Sequence, residues 1–365
     1  MQFQKIGVNV LKGDSYVNRG QLRGYMLEIV IRCFLEQNGW KPLDDTEDGR
    51  IRMSGNYDVE VRGRGTWHQI DVLCVYQSKI PFIYPLRLFA EVKFTANELY
   101  KDKIRSYIGI MKDITENYFA YAKKPQIRYT DIGVIFSANG FHDEASNLAF
   151  AHGIKVVSYK DNPIMKSIKT SIEKLEEQIP FRISIGNGHR VTFMTFLEMT
   201  LANPTDDNVN EFIATYQFNY SVKENLLNLI QSIYTVKTNF FGISANGILL
   251  HFFSQGTFPE ELFQDTDEQW CEVHYSRHND HIDTWITFSQ DKWHREFYFD
   301  VPRGLEQAIV DSCDILRAKE GLFEGLSIMY ILRGVARLLT IHVDKAERLY
   351  ERRKGNHRKD NEFDK

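Results

Sequence analysis

Cysteine is scarce. Cys33, Cys74, Cys271 and Cys313 stand far apart with no CxxC pairing, which excludes a disulfide framework. Cys33 and Cys74 fall inside apolar runs and read as buried thiols, the usage of a reducing compartment. Long hydrophobic runs are missing too. None approaches the roughly 18 residues that cross a membrane as a helix. The opening segment, MQFQKIGVNVLKGDS, has no apolar core of signal-peptide length. The expectation is a soluble, cytoplasmic protein with no membrane association. Positive charge is not in excess: 45 Lys and Arg stand against 49 Asp and Glu, a net charge of -4. Overall charge therefore does not mark a nucleic-acid binder, although local basic clusters still meet phosphate on an acidic protein. There is no internal repeat. The one biased tract is the terminal ERRKGNHRKDNEFDK, a charged tail (347–365) expected to be disordered.

What is present suffices for two domains. The chain has 365 residues, 43% of them hydrophobic, enough for a sizeable core. Apolar residues recur at helical spacing over 20–38 (Leu22, Met26, Ile29, Val30, Cys33, Phe34), and Gly39 stops that helix. A polar, Gly-containing stretch follows to Gly65. Residues 68–76 and 86–94 read as strands, joined by the apolar loop around Pro81 and Pro85. A helix over 98–121 carries the stripe Ile104, Ile108, Met111 and Ile114. The clearest passage is 131–159: strand DIGVIFS, turn Asn139-Gly140, a helix closed by Gly153, then strand IKVVSY. Two apolar strands joined by such a helix form a parallel βαβ unit. Residues 161–180 hold a charged amphipathic helix expected to link two domains. Beyond it come aromatic-rich strands, a helix near 221–236, and two helices expected over 304–346.

The chemistry concentrates on the two strands. Residues two apart on a strand share a face, so Gln69 pairs with Asp71, and Glu91 with Lys93. Two carboxylates, an amide and an ammonium on one face are costly to bury without partners. A divalent ion between Asp71 and Glu91 would satisfy both carboxylates. Mg²⁺, with Mn²⁺ able to substitute, suits oxygen ligands. Such a pair beside a lysine is what phosphodiester hydrolysis requires: an ion to activate water and a cation to neutralise developing charge. Glu28, a carboxylate among the apolar residues of the first helix, is a further candidate metal ligand. Arg62, Arg64 and His68, in the Gly-rich approach to Asp71, and Lys101, Lys103 and Arg105, at the start of the following helix, are candidate phosphate contacts.

The runs GRGTWHQIDVLCVY, FAEVKF and DIGVIFSANGFHDEASNLAFAHGIKVVSY together resemble the catalytic domain of Mrr-like restriction endonucleases, in the PD-(D/E)xK nuclease superfamily. The resemblance spans roughly residues 20–160. It implies Asp71 and Glu91 as metal ligands, Lys93 as the catalytic lysine, Gln69 as a supporting polar residue and Glu28 as the acidic residue of the first helix. The loop KIPFIYPLRL departs from the family, where a short turn is usual.

Two weaker signals lie further on. Cys271, His274, His278 and His281 have the ligand types of a zinc site but no common spacing. Trp270, Tyr275, Trp285, Trp293, Phe297 and Tyr298 could stack a base, or simply form core. The resulting expectation is an α/β protein. A restriction-endonuclease-like mixed sheet flanked by helices occupies 1–160 and is separable from the rest. An α+β specificity or sensing domain occupies 181–346, open to a small-molecule or protein effector. The expected function is Mg²⁺-dependent endonucleolytic cleavage of DNA by a homodimer, in restriction or antiphage defence. The rivals are a nuclease gated through its C-terminal domain and a catalytically inactive nucleic-acid-binding protein.

Overall fold

A computed structural model describes residues 19–43, 49–54, 58–78, 81–117, 127–180, 187–278, 281–301 and 325–343. The expected charged tail lies outside the described residues.

The fold is mixed α/β. Helix α1 (Arg19–Gln37) ends at Gly39, whose φ of 83° is a conformation glycine adopts without strain. Edge strand β1 (Trp40–Pro42) follows. Its Pro42 lies opposite Cys74, at the sheet margin where a missing N–H is tolerated. The polar, Gly-containing stretch, to which the sequence assigned no element, and the start of the strand read over 68–76 form an antiparallel sheet of β2 (Ile51–Ser54), β3 (Asp58–Arg62) and β4 (Trp67–Ile70).

Strand β5 (Val72–Tyr76) then enters a different, five-stranded sheet with β6 (Leu86–Lys93), β7 (Thr130–Ser137) and β8 (Lys155–Ser158), in the order β1-β5-β6-β7-β8. β5 is antiparallel to β6, whereas β6, β7 and β8 run parallel. Helices α2 (Lys101–Thr115) and α3 (Asp143–Ala151) supply the crossovers. The βαβ reading of 131–159 therefore holds.

The two faces of this sheet bury different residues. Phe89 and Ile135 pack under α2 and α3 with Ile104, Tyr107, Met111 and Ala145. Leu88, Ala90, Val92 and Phe94 face α1. Helix α4 (Pro163–Gln178) joins that second core. Its Ile164, Met165, Ile168, Ile172 and Leu175 are buried together with α1 residues and with Leu226 and Leu229 of α7 (Tyr220–Tyr234). α5 (Asn187–Ala202) and α6 (Asp206–Thr215) extend the same cluster. The helix expected as a linker is thus the centre of a continuous core.

The remaining strands are β9 (Thr238–Ser244), β10 (Leu249–Ser254), β11 (Glu268–His278), β12 (His281–Phe288), β13 (Phe297–Phe299), β14 (Leu326–Leu332) and β15 (Val335–Val343). They close a barrel in the order β10-β13-β12-β11-β15-β14-β9. Its interior holds Phe240, Phe252, Cys271, Ile286, Phe297, Ile328 and Leu339. The two helices expected over 304–346 are corrected in their second half. There, alternating apolar residues in LSIMYIL and VARLLTIHV form a hairpin around Arg333-Gly334, a period of two having been taken for a helical one. Residues 302–324 lie outside the described residues.

The barrel docks through its outer face. Phe253 of β10 joins the α1–α4 core. The hydroxyl of Tyr159 meets His251 Nδ1 at 2.8 Å, and His251 Nε2 lies 3.2 Å from Asn239 Oδ1. Burial holds His251 well below the ordinary histidine range, so the ring is neutral. It accepts from Tyr159 and donates to Asn239, which also bonds Asn38 and Gln37. Among the described residues, no helix is long and apolar enough to cross a membrane.

Candidate active site

Asp71 sits at the bend between β4 and β5, where the chain leaves the small sheet for the large one. The single strand read over 68–76 is therefore two strands. The alternation argument does not carry across that bend. Gln69 is exposed on β4 opposite Glu60, in the three-stranded sheet. Asp71 turns toward β6: its Oδ2 accepts the backbone N–H of Val92 at 2.8 Å and the ammonium of Lys93 at 3.1 Å. Lys93 Nζ also reaches Glu91 Oε1 at 2.6 Å. One ammonium thus bridges two carboxylates at the C-terminal end of β6. The three side chains are 13%, 23% and 27% exposed for Asp71, Glu91 and Lys93, shielded from bulk water but reachable.

Electrostatics follow from this geometry. Burial, and then the charge of Asp71, push Glu91 above the usual carboxylate range, while Lys93 and Lys103 act against them. Lys93 is itself raised: burial opposes its charge, but the two carboxylates outweigh that penalty. Such a lysine stays protonated at all physiological pH.

The donor set fits a hard cation. Lys93 engages Oδ2 of Asp71 and Oε1 of Glu91, and the second oxygen of each carboxylate is left for another partner. Mg²⁺ is commonly held by one or two carboxylates, completing its shell with water and substrate phosphate. Among the described residues no group of three or more His, Cys, Asp or Glu side chains gathers as a metal site. Asp71 and Glu91 are the two carboxylates that could hold such an ion.

Glu28 is half-buried on α1, one turn beyond Gly24. α1 packs against Leu88, Ala90 and Val92, the opposite face of β6 from Glu91 and Lys93.

The Gly-rich approach to Asp71 clasps a carboxylate. His68 Nε2 lies 2.8 Å from Asp113 Oδ2 on α2, the N–H of Gly65 donates to the same oxygen, and Arg64 pairs with Glu116 at 2.7 Å. A β-carbon on Gly63 would fall 2.0 Å from Asp113 Oδ2, so a larger residue there would displace the Asp113 carboxylate from this clasp. Arg62 lies over the Trp67 ring. On α2, Lys101 pairs with Glu144 at 2.5 Å and Arg105 with Asp102 at 3.0 Å. These cations have protein partners, and nothing in the sequence near Asp113 announced its role.

Zinc finds no support in the barrel strands. Cys271 is buried inside the barrel. His274, three residues along the same strand, points to the other face, where it meets Thr287 Oγ1 at 2.8 Å and stacks on Trp285. The side chains of His278 and His281 lie outside the described residues. Among the aromatics, Phe297 is core, while Trp285 and Tyr298 pack ring to ring outside the barrel at 5.7 Å.

Comparison with known proteins adds little. No family model matches the chain, and no curated protein matches it. A solved structure, AF1548, a protein of unknown function, aligns at 15% identity over 53% of this chain and 96% of its own, with a TM-score of 0.28. That likeness is too low to carry an argument about fold or activity.

Proposed function

We propose that this chain is a Mg²⁺-dependent endonuclease that hydrolyses DNA phosphodiester bonds, built on a restriction-endonuclease-like sheet of the PD-(D/E)xK kind. The observation that supports it best is the bridge made by Lys93 between Asp71 and Glu91. Two carboxylates and an ammonium are gathered on adjoining strands at the C-terminal edge of a mixed sheet.

Asp71 and Glu91 would hold the ion. When bound, it supplies a polarised phosphate oxygen and a water of lowered pKa. The protein's own residues do the rest. The backbone N–H of Val92 fixes the Asp71 carboxylate, so its orientation does not depend on the ion. Lys93, permanently charged, orients the attacking water and neutralises charge developing on the phosphate. The water oxygen would bond to phosphorus as the water gives up a proton to solvent, the bond to the leaving ester oxygen would break, and that oxygen would take a proton back from solvent.

Each such site cuts one strand, so cleavage of both strands calls for a homodimer. The cellular role is restriction or antiphage defence in the cytoplasm. A second reading, a nuclease gated through its barrel, draws on the buried Tyr159–His251 contact. That contact joins the last strand of the sheet to the barrel wall.

The test is incubation of purified protein with supercoiled plasmid in Mg²⁺, Mn²⁺ or EDTA, alongside Lys93→Ala. Nicking that needs the ion and is lost in the variant supports the reading. Cleavage that survives Lys93→Ala refutes it. Activity that arises only with cell extract favours gating.

A further inference from the structure

Resting on that nuclease reading, we infer that Lys103 is the residue of α2 that holds the substrate phosphate. The phosphate would lie in the gap between the first turn of α2 and Glu91 on β6.

The argument is one of register. α2 is the crossover between the parallel strands β6 and β7, so it runs back along the sheet opposite to β6. Tyr107 fixes its position: the phenol donates to the carbonyl of Phe89 at 2.6 Å. Lys103 lies four residues earlier, on the same side of the helix and about 6 Å nearer its N-terminus. Glu91 lies two residues after Phe89, on the same face of the strand and about 6.6 Å further along. The two offsets point the same way and nearly match. Lys103 therefore stands over Glu91 as Tyr107 stands over Phe89. The charge of Lys103 is felt at Glu91, which supports the placement.

Its neighbours do not compete for the role. Lys101 and Arg105 are held by Glu144 and Asp102. Lys112 lies nine residues down the helix, about 13 Å away. Lys103 is exposed and has no ion-pair partner among the described residues. Lys93 meets the site from the sheet, inside a cluster of two carboxylates. Lys93 and an ion held by the two carboxylates would offset the negative charge of Asp71 and Glu91, and Lys103 adds a cation that faces the phosphate from the opposite wall.

The experiment compares the wild type with Lys103→Ala, Lys103→Arg and Lys41→Ala. Lys41→Ala removes the same charge from an exposed position on edge strand β1. Plasmid nicking is measured in Mg²⁺, and binding of a labelled duplex is measured by anisotropy in EDTA at several salt concentrations. Lys103→Ala is expected to lower kcat/KM roughly tenfold or more and to reduce the salt slope of binding by about one. Lys103→Arg should recover most of both, and Lys41→Ala should change neither. An active wild type whose Lys103→Ala variant cleaves and binds like Lys41→Ala overturns the inference and leaves the nuclease reading standing. An inert wild type defeats the nuclease reading. The salt slopes then still decide whether Lys103 meets phosphate: equal slopes for the two alanine variants overturn it.

Discussion

Arg87 and Asp131 are register partners on β6 and β7. The guanidinium donates through Nε and Nη2 to the two carboxylate oxygens at 2.8 and 2.9 Å, with both side chains buried. Phe89 and Tyr129 flank the guanidinium. The same strand carries the bridged Lys93 at its other end, so one ion pair is closed and the other is open to a ligand. Removing one member of the closed pair strands a buried charge. Asp131→Asn or Arg87→Met is expected to cost about 3–5 kcal/mol, whereas replacing both with apolar residues of similar volume restores much of the loss. Urea unfolding of the single and double variants measures this. A single-variant loss below about 1 kcal/mol would show the pair to be structurally idle.

Asp71→Ala, Glu91→Ala and Lys93→Ala are each expected to reduce plasmid cleavage by roughly a hundredfold or more while leaving the circular dichroism spectrum unchanged. The three act as one cluster, so the double variant Asp71→Ala/Glu91→Ala should be little worse than either single one. Full activity in any folded single variant contradicts the mechanism.

Chelation should abolish activity, and Mg²⁺ or Mn²⁺ should restore it. Because the protein offers two carboxylates, calorimetry of Mn²⁺ without DNA should show weak binding that tightens when DNA is added. Tight binding that persists in Asp71→Ala would place the ion elsewhere.

Asp300, which follows β13, accepts the backbone N–H of Asp161 at 2.9 Å and the hydroxyl of Ser158 at 3.3 Å. Burial pushes its carboxyl up to about 8. The unfolded carboxyl titrates near pH 4, roughly. A raised folded pKa means that the native chain binds the proton more tightly. The stability it contributes is present below about pH 4 and is lost as pH rises toward 8. Asp300→Asn should remove that decline, so the variant gains on the wild type as pH rises from 5 to 8, roughly. Thermal unfolding across this range checks it, and parallel curves would show that Asp300 is ionised in the native state.

A fragment ending near residue 165 is expected to aggregate. It would uncover the part of the buried face of α1 that α4 and α5 pack against in the full chain. Limited proteolysis should therefore yield no stable fragment of that length. Recovery of a folded, soluble 1–165 piece would reverse this conclusion.

The sequence by itself determined the local elements wherever one periodicity dominates: α1, the two halves of the Asp71–Lys93 region as strands, and the β7-α3-β8 unit. The Glu91–Lys93 pairing followed from alternation along one unbroken strand, which needs no knowledge of distant neighbours. Tertiary structure decided the rest. Whether Asp71 joins that pair depended on a bend that moves the chain between sheets, because a change of sheet resets which face each residue occupies. Arg64, His68, Lys101 and Arg105 look alike in sequence to Lys103. Asp102 reaches Arg105 one turn away on the same helix, but only the packing of α2 shows that Asp113, Glu116 and Glu144 engage the others. The hairpin of β14 and β15 reads as helix because its alternation of period two is short enough to be taken for a helical one. Closure into a barrel fixes them as strands, through backbone partners that lie scores of residues away.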